Sequence, residues 1–177
     1  VPTRIVTGYQ GPRQTILAVD DTAGNRAVMV DMLKPLGFEM IEAENGREAL
    51  EIAARLLPHL ILMDSAMPVM DGLEATAQLR RLPTFRKTPI IVVSASTSGS
   101  DREKSVRAGA NAFLPKPIKL DVLLDQIDLL LHLDWIYASP EVSPFPELEN
   151  VELLVTPPLE EIEVLHRLSK GGNMHAI

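Results

Sequence analysis

The chain has 177 residues, 46% of them hydrophobic, and carries a formal net charge of −7. That length holds one domain of ordinary size with appendages, and the acidic balance gives a nucleic-acid-binding role no electrostatic support. The absence of cysteine excludes disulfides and thiolate chemistry and fits a reducing compartment, so a cytoplasmic location is expected. No apolar run is long enough to span a bilayer, and membrane insertion of this chain is not expected.

Residues 1–14 contain Pro2, Gly8, Gly11 and Pro12 without clear periodicity, as expected of a linker arriving from an upstream domain. The sequence opens on Val1 rather than methionine and is expected to be excised from a longer one. Thr15-Ile16-Leu17-Ala18-Val19 reads as a strand buried on both faces, and it ends on Asp20-Asp21. Residues 24–36 follow with Met29, Met32, Leu33 and Leu36 at helical spacing, closed by Gly37. Phe38 to Ala43 mixes apolar and acidic residues as an edge strand does, and residues 46–57 form a helix with Ala49, Leu50, Ala53 and Leu57 inward.

Leu60-Ile61-Leu62-Met63 is the next buried strand, and it ends abruptly on the Asp64 carboxylate. Met67-Pro68 breaks it, and Asp71-Gly72 opens a helix over about 72–82 with Asp71 as N-cap. Pro89 to Ser94 is a fourth strand, followed by the small polar loop Ala95 to Ser100 and a helix from Asp101 to Gly109. Ala112-Phe113-Leu114 is a short fifth strand running into Pro115-Lys116-Pro117, and residues 119–133 form the last helix. Strands and helices alternating at these lengths imply a parallel sheet with right-handed crossovers, a three-layer (βα)5 domain of the α/β class over residues 15–133.

The last helix carries two stripes. Leu120, Leu123, Leu124, Ile127, Leu130 and Leu131 fit a core face, while Val122, Leu129 and Leu133 fall on another side. Beyond it the charge shifts, because residues 134–177 hold eight acidic and only two basic side chains. Residues 134–157 read as a Pro-rich acidic linker, and residues 158–177 as a short helical extension that is expected to be truncated. Within it Leu159, Ile162, Leu165 and Leu168 form one stripe over 158–169, expected to bury itself on the second stripe of the preceding helix.

Asp20, Asp21, Asp64, Ser94 and Lys116 all lie at carboxyl ends of strands, where open α/β sheets bind ligands. Three carboxylates brought together repel unless a cation neutralises them, and an oxygen-only donor set suits Mg²⁺. A lysine and a hydroxyl nearby supply charge and a donor for an anion. The set describes a phosphoryl-transfer site in which a carboxylate serves as nucleophile.

Val19-Asp20-Asp21, Met63-Asp64 with Met67-Pro68-Val69-Met70-Asp71-Gly72, Ser94-Ala95 and Lys116-Pro117 together resemble the motif set of receiver domains of two-component response regulators. The resemblance implies the flavodoxin-like fold with strand order 2-1-3-4-5. It implies that Asp64 is the phosphoacceptor, charged from a phosphohistidine of a histidine kinase or phosphotransfer domain. Asp21, Asp64 and the Ala66 backbone carbonyl would hold Mg²⁺, with Asp20 acting through a metal-bound water. Lys116 would pair with the phosphate, Ser94 would hydrogen-bond it, and Phe113 falls at the aromatic switch position. The same resemblance implies a cis Lys116–Pro117 bond.

The flanking segments look like those around receivers in hybrid sensor histidine kinases. A stand-alone response regulator whose output domain is missing is the alternative, and a second copy meeting the final helix is a candidate partner. Phosphatases of the haloacid dehalogenase type use similar groups, but they carry an Asp-x-Asp nucleophile at the end of their first strand. Here that strand ends in adjacent Asp20-Asp21.

Overall fold

The computed structural model describes residues 4–139. Five strands form a parallel sheet: β2 (Thr15–Val19), β3 (Glu39–Ala43), β4 (Leu60–Asp64), β5 (Ile90–Ser94) and β6 (Ala112–Pro115). Their order is β3-β2-β4-β5-β6, which is the 2-1-3-4-5 arrangement when these strands alone are counted. The connecting helices are α1 (Ala23–Leu33), α2 (Gly46–Leu56), α3 (Gly72–Arg81), α4 (Gly99–Ala108) and α5 (Leu120–Leu131). Single 3₁₀ turns follow α1 at Lys34–Leu36 and α3 at Pro83–Phe85.

Strand periodicity of two divides the interior into two clusters. Ile16, Ala18, Leu60 and Leu62 point to one side of the sheet and pack with Met29 and Leu33 of α1 and Leu123 and Ile127 of α5. Leu17, Val19, Ile61 and Met63 point to the other and pack with Ala49 and Ala53 of α2 and Ala75 and Leu79 of α3. The residues of β4 are buried throughout, which is why its sequence is a continuous apolar run rather than an alternating one. α2 and α3 begin on side-chain caps: Asn45 accepts from the Glu48 N–H and Asp71 from the Glu74 N–H.

Beyond Leu57, expected inward but left-handed just past the end of α2 and 55% exposed, two readings of the sequence need correction. Within the stretch expected as an incoming linker, Val6–Tyr9 forms a strand, β1, and it pairs antiparallel with β7 (Trp135–Tyr137) in the stretch expected as the outgoing linker. The partners are more than a hundred residues apart and each run is too short for periodicity to register. Aromatic packing holds the ribbon. The Tyr9 ring lies 4.6 Å from Phe38 and 6.2 Å from Trp135, and the Trp135 indole donates to Asp128 Oδ1 at 2.9 Å.

The second correction concerns α5. Leu133, expected on the outer stripe, packs against the core beside Trp135, whereas Leu120, expected inward, is 39% exposed. The helix ends at Leu131, with His132 left-handed at φ 52°, so Leu133 no longer follows the helical face. Val122 and Leu129 stay exposed as expected. The expected helix over 158–169 and its docking lie outside the described residues. Among the described residues no helix is long and apolar enough to cross a membrane.

The Trp135 contacts generate a test of the ribbon. Trp135→Ala removes a half-buried indole that bridges Tyr9 of β1, Phe38 and Asp128 of α5, and it should destabilise the domain by about 1–3 kcal/mol in denaturant titrations. A midpoint equal to wild type would show that the ribbon contributes nothing to domain stability.

Candidate functional site

The carboxyl ends of β2, β4, β5 and β6 bring Asp20, Asp64, Ser94 and Lys116 to one edge of the sheet. A cleft of about 490 Å³ opens there, lined among others by Asp21, Asp64, Ala66, Ser94 and Lys116. The Lys116 ammonium is bonded to both buried acids, 2.7 Å from Asp20 Oδ2 and 3.2 Å from Asp64 Oδ1. Its backbone N–H donates to the Ser94 carbonyl at 2.8 Å, tying the end of β6 to the end of β5. The Lys116–Pro117 bond is cis, as expected.

Asp20 is almost fully enclosed, at 1% exposure. Its Oδ1 accepts from the Thr22 N–H at 2.8 Å and from Asn25 Nδ2 at 3.1 Å, while Oδ2 takes the lysine. Asp21, one residue on, points outward and is exposed. Carboxylate oxygens of Asp20, Asp21 and Asp64 lie within 4.8 Å of one another. Ligand oxygens 2.0–2.1 Å from an octahedral Mg²⁺ stand roughly 3–4 Å apart, and the donors are hard and anionic, so the residues present fit that ion.

The segment after Asp64 is held by backbone contacts. The Ser65 N–H donates to the Val93 carbonyl and its carbonyl accepts from the Gly72 N–H, while the Gly46 N–H donates to the Met70 carbonyl. α3 therefore starts against the end of β4. A Cβ on residue 72 would stand 1.8 Å from the Asp64 carbonyl oxygen, an approach that only glycine permits.

Burial pushes the Asp64 carboxyl above the ordinary aspartate value, and the neighbouring charge of Asp20 pushes it further. Lys116 and the Ala66 N–H pull it partly back. Burial alone lowers the Lys116 ammonium, but the hydrogen bonds and charge of Asp20 and Asp64 outweigh it and hold the group above its ordinary value. The result is a cationic lysine facing an acid whose ionisation costs free energy in the fold.

Phe113, the remaining residue singled out in the sequence, does not line this cleft. Its ring faces a neighbouring groove between α4 and α5, with the Arg102 guanidinium 5.5 Å above it. Four further residues went unnoticed in the sequence. Asn25 and Thr22 satisfy Asp20, and Ser65 donates to Ser94 Oγ at 2.9 Å. Arg26, 8% exposed, anchors the Asp20 carbonyl at 2.7 Å while pairing with Glu42 and Glu44 at 3.3 Å. A short polar residue on the first turn after a strand-end acid is a weak signal for Asn25; Arg26 left none, since its partners come from another strand.

This fold, with an acid–lysine cleft at the sheet's carboxyl edge, defines a receiver domain of two-component signalling. The sequence profile of the response regulator receiver domain matches residues 16–128, and the chain belongs to that family. It is 36% identical to the sensor histidine kinase CheAY of Helicobacter pylori over 104 residues, which are 58% of this chain and 13% of that protein. It is also 36% identical to the response regulator MprA of Mycobacterium sp. (strain KMS) over 148 residues, 83% of this chain and 62% of that one. The chain thus spans less than two thirds of either relative. Among solved structures, the receiver domain of sensor histidine kinase PA1611 from Pseudomonas aeruginosa, with a magnesium ion coordinated in its active-site cleft, superposes with TM-score 0.64 and 35% identity. That match covers 68% of this chain and 99% of the other.

Two substitutions test the site. Gly72→Ala sets a methyl against the Asp64 carbonyl, so it should destabilise the domain by about 1–3 kcal/mol in denaturant titrations; an unchanged midpoint would show that α3 can shift without cost. Asp64→Asn tests the raised carboxyl. A group whose folded value is raised contributes stability below its unfolded value, and loses it as pH rises through the folded one. With chelator present, Asp64→Asn should therefore melt above wild type at neutral pH, and the gap should close below about pH 4. A gap that widens on acidification contradicts this.

Proposed function

We propose that Asp64 accepts a phosphoryl group from a phosphohistidine of a histidine kinase or phosphotransfer domain, assisted by Mg²⁺. The observation that carries this reading is the meeting of Asp64, Lys116 and Ser94 in one cleft with two further carboxylates. An oxygen of Asp64 attacks phosphorus, the bond from phosphorus to the donor imidazole breaks, and the electron pair leaves with the imidazole. The product is an acyl phosphate, and water later attacks it to restore the carboxylate and release phosphate.

Asp21, Asp64 and the Ala66 carbonyl would hold the ion, which when bound neutralises charge on the transferring group. Asp20 would support the ion through a water rather than bind it directly, in keeping with oxygens already committed to Lys116, Thr22 and Asn25. Lys116 pairs with the phosphate. Ser94 donates to it, and the domain switches through Ser94 and Phe113. The chain catalyses only its own phosphorylation and dephosphorylation.

A hybrid sensor histidine kinase acting at the cytoplasmic side is the proposed parent, supported by the likeness to receivers from proteins named as sensor kinases. The phosphatase alternative loses its ground with family membership, since the nucleophile of that class ends the first strand whereas Asp64 ends β4.

The test is intact-mass labelling with acetyl phosphate and Mg²⁺. Wild type should gain one phosphoryl group and Asp64→Asn none. Labelling that survives the substitution assigns the acceptor elsewhere and overturns the reading.

A further inference from the structure

The Ser94 hydroxyl has one proton to donate and two lone pairs to accept with. Both acceptor positions are taken: Ser65 Oγ donates to it at 2.9 Å and the Ser96 N–H at 3.2 Å. What remains is the Ser94 proton, in a cleft that the hydroxyl shares with Asp64 and Lys116. Ser65 is itself fixed, because its N–H is bonded to Val93 at 2.9 Å and its carbonyl to Gly72 at 3.1 Å. Those backbone bonds hold the residue between β5 and α3 whatever its side chain. Its hydroxyl is therefore not needed to seat the loop, and among the described residues its hydrogen bond goes to Ser94.

We propose that Ser65 is a positioning residue that fixes the Ser94 hydroxyl as a donor toward the group carried by Asp64. The proposal rests on the phosphoacceptor reading and adds to it the residue that orients the donor. By filling a lone pair of Ser94, Ser65 keeps that hydroxyl from spending its proton on Ser65 in return. When a tetrahedral anion occupies Asp64, Ser94 delivers its proton to an anion oxygen without first breaking a competing bond. Without the Ser65 hydroxyl, Ser94 has a free lone pair and more rotamers, and it must be ordered when the anion arrives.

The probe is beryllofluoride with Mg²⁺, titrated into the full chain and followed by fluorine NMR. Five proteins are compared: wild type, Ser65→Ala, Ser65→Thr, Ser94→Ala and the double alanine variant. Ser65→Ala should weaken binding about three- to tenfold, the weight of one uncharged hydrogen bond. Ser65→Thr, which keeps the hydroxyl, should restore near-wild-type affinity. In the Ser94→Ala background, Ser65→Ala should change nothing further, because a residue acting through another has no effect once that other is gone. A general loss of fold would appear in both backgrounds, so the cycle separates positioning from a structural role. Wild-type affinity in Ser65→Ala, an equal loss in both backgrounds, or a threonine variant as weak as alanine would each overturn the proposal. Wild type that binds no beryllofluoride would instead contradict the phosphoacceptor reading, and the role of Ser65 would fall with it.

Discussion

The cleft depends on one ammonium group shared between two buried acids. Lys116 sits 2.7 Å from Asp20 and 3.2 Å from Asp64, both of which are withdrawn from water. Without it, two carboxylates would face each other at the edge of an apolar sheet, and ionising both would be costly. With it, the pair is partly neutralised but the balance is incomplete. Asp64 remains above its ordinary value and Asp21 adds a third negative group at the mouth. Three carboxylates against one ammonium leave the cluster two positive charges short, which suits it to a single divalent ion.

Everything that places these groups follows from the sheet. Parallel strands deliver their carboxyl ends to one edge, and the register of β2 with β4 and of β5 with β6 sets Asp20, Asp64, Ser94 and Lys116 at the same level. The loops then refine the arrangement. Gly72 lets α3 begin against the Asp64 carbonyl, Arg26 ties the Asp20 backbone to the edge strand, and Asn25 closes over the Asp20 carboxylate. The site is rigid on the β2 side, where Asp20 accepts three donors, and more open on the side of Asp21 and Ala66, which are exposed.

The sheet and the charged residues were legible in the sequence because each leaves a local mark. A four-residue apolar run ending on an acid marks β4 and Asp64 together, and Pro-Lys-Pro after a short apolar run marks Lys116. The β1–β7 ribbon left no such mark, because its stability comes from packing Tyr9, Phe38 and Trp135 across distant parts of the chain. Leu133 was misread for a related reason: a helical wheel continues past the last turn, whereas the backbone turns left-handed at His132. The supporting polar groups were hidden because serine, threonine and asparagine are ordinary loop residues. Only the fold reveals that Ser65 meets Ser94 and that Asn25 meets Asp20.

The central claim is that Lys116 and a divalent cation neutralise the same carboxylates. Its most direct test is the Mg²⁺ affinity of wild type and Lys116→Met, measured by calorimetry at neutral pH and low salt. Removing the ammonium leaves Asp20 and Asp64 more negative and frees their oxygens, so the variant should bind Mg²⁺ more tightly than wild type. Equal or weaker binding by a folded Lys116→Met would contradict the account.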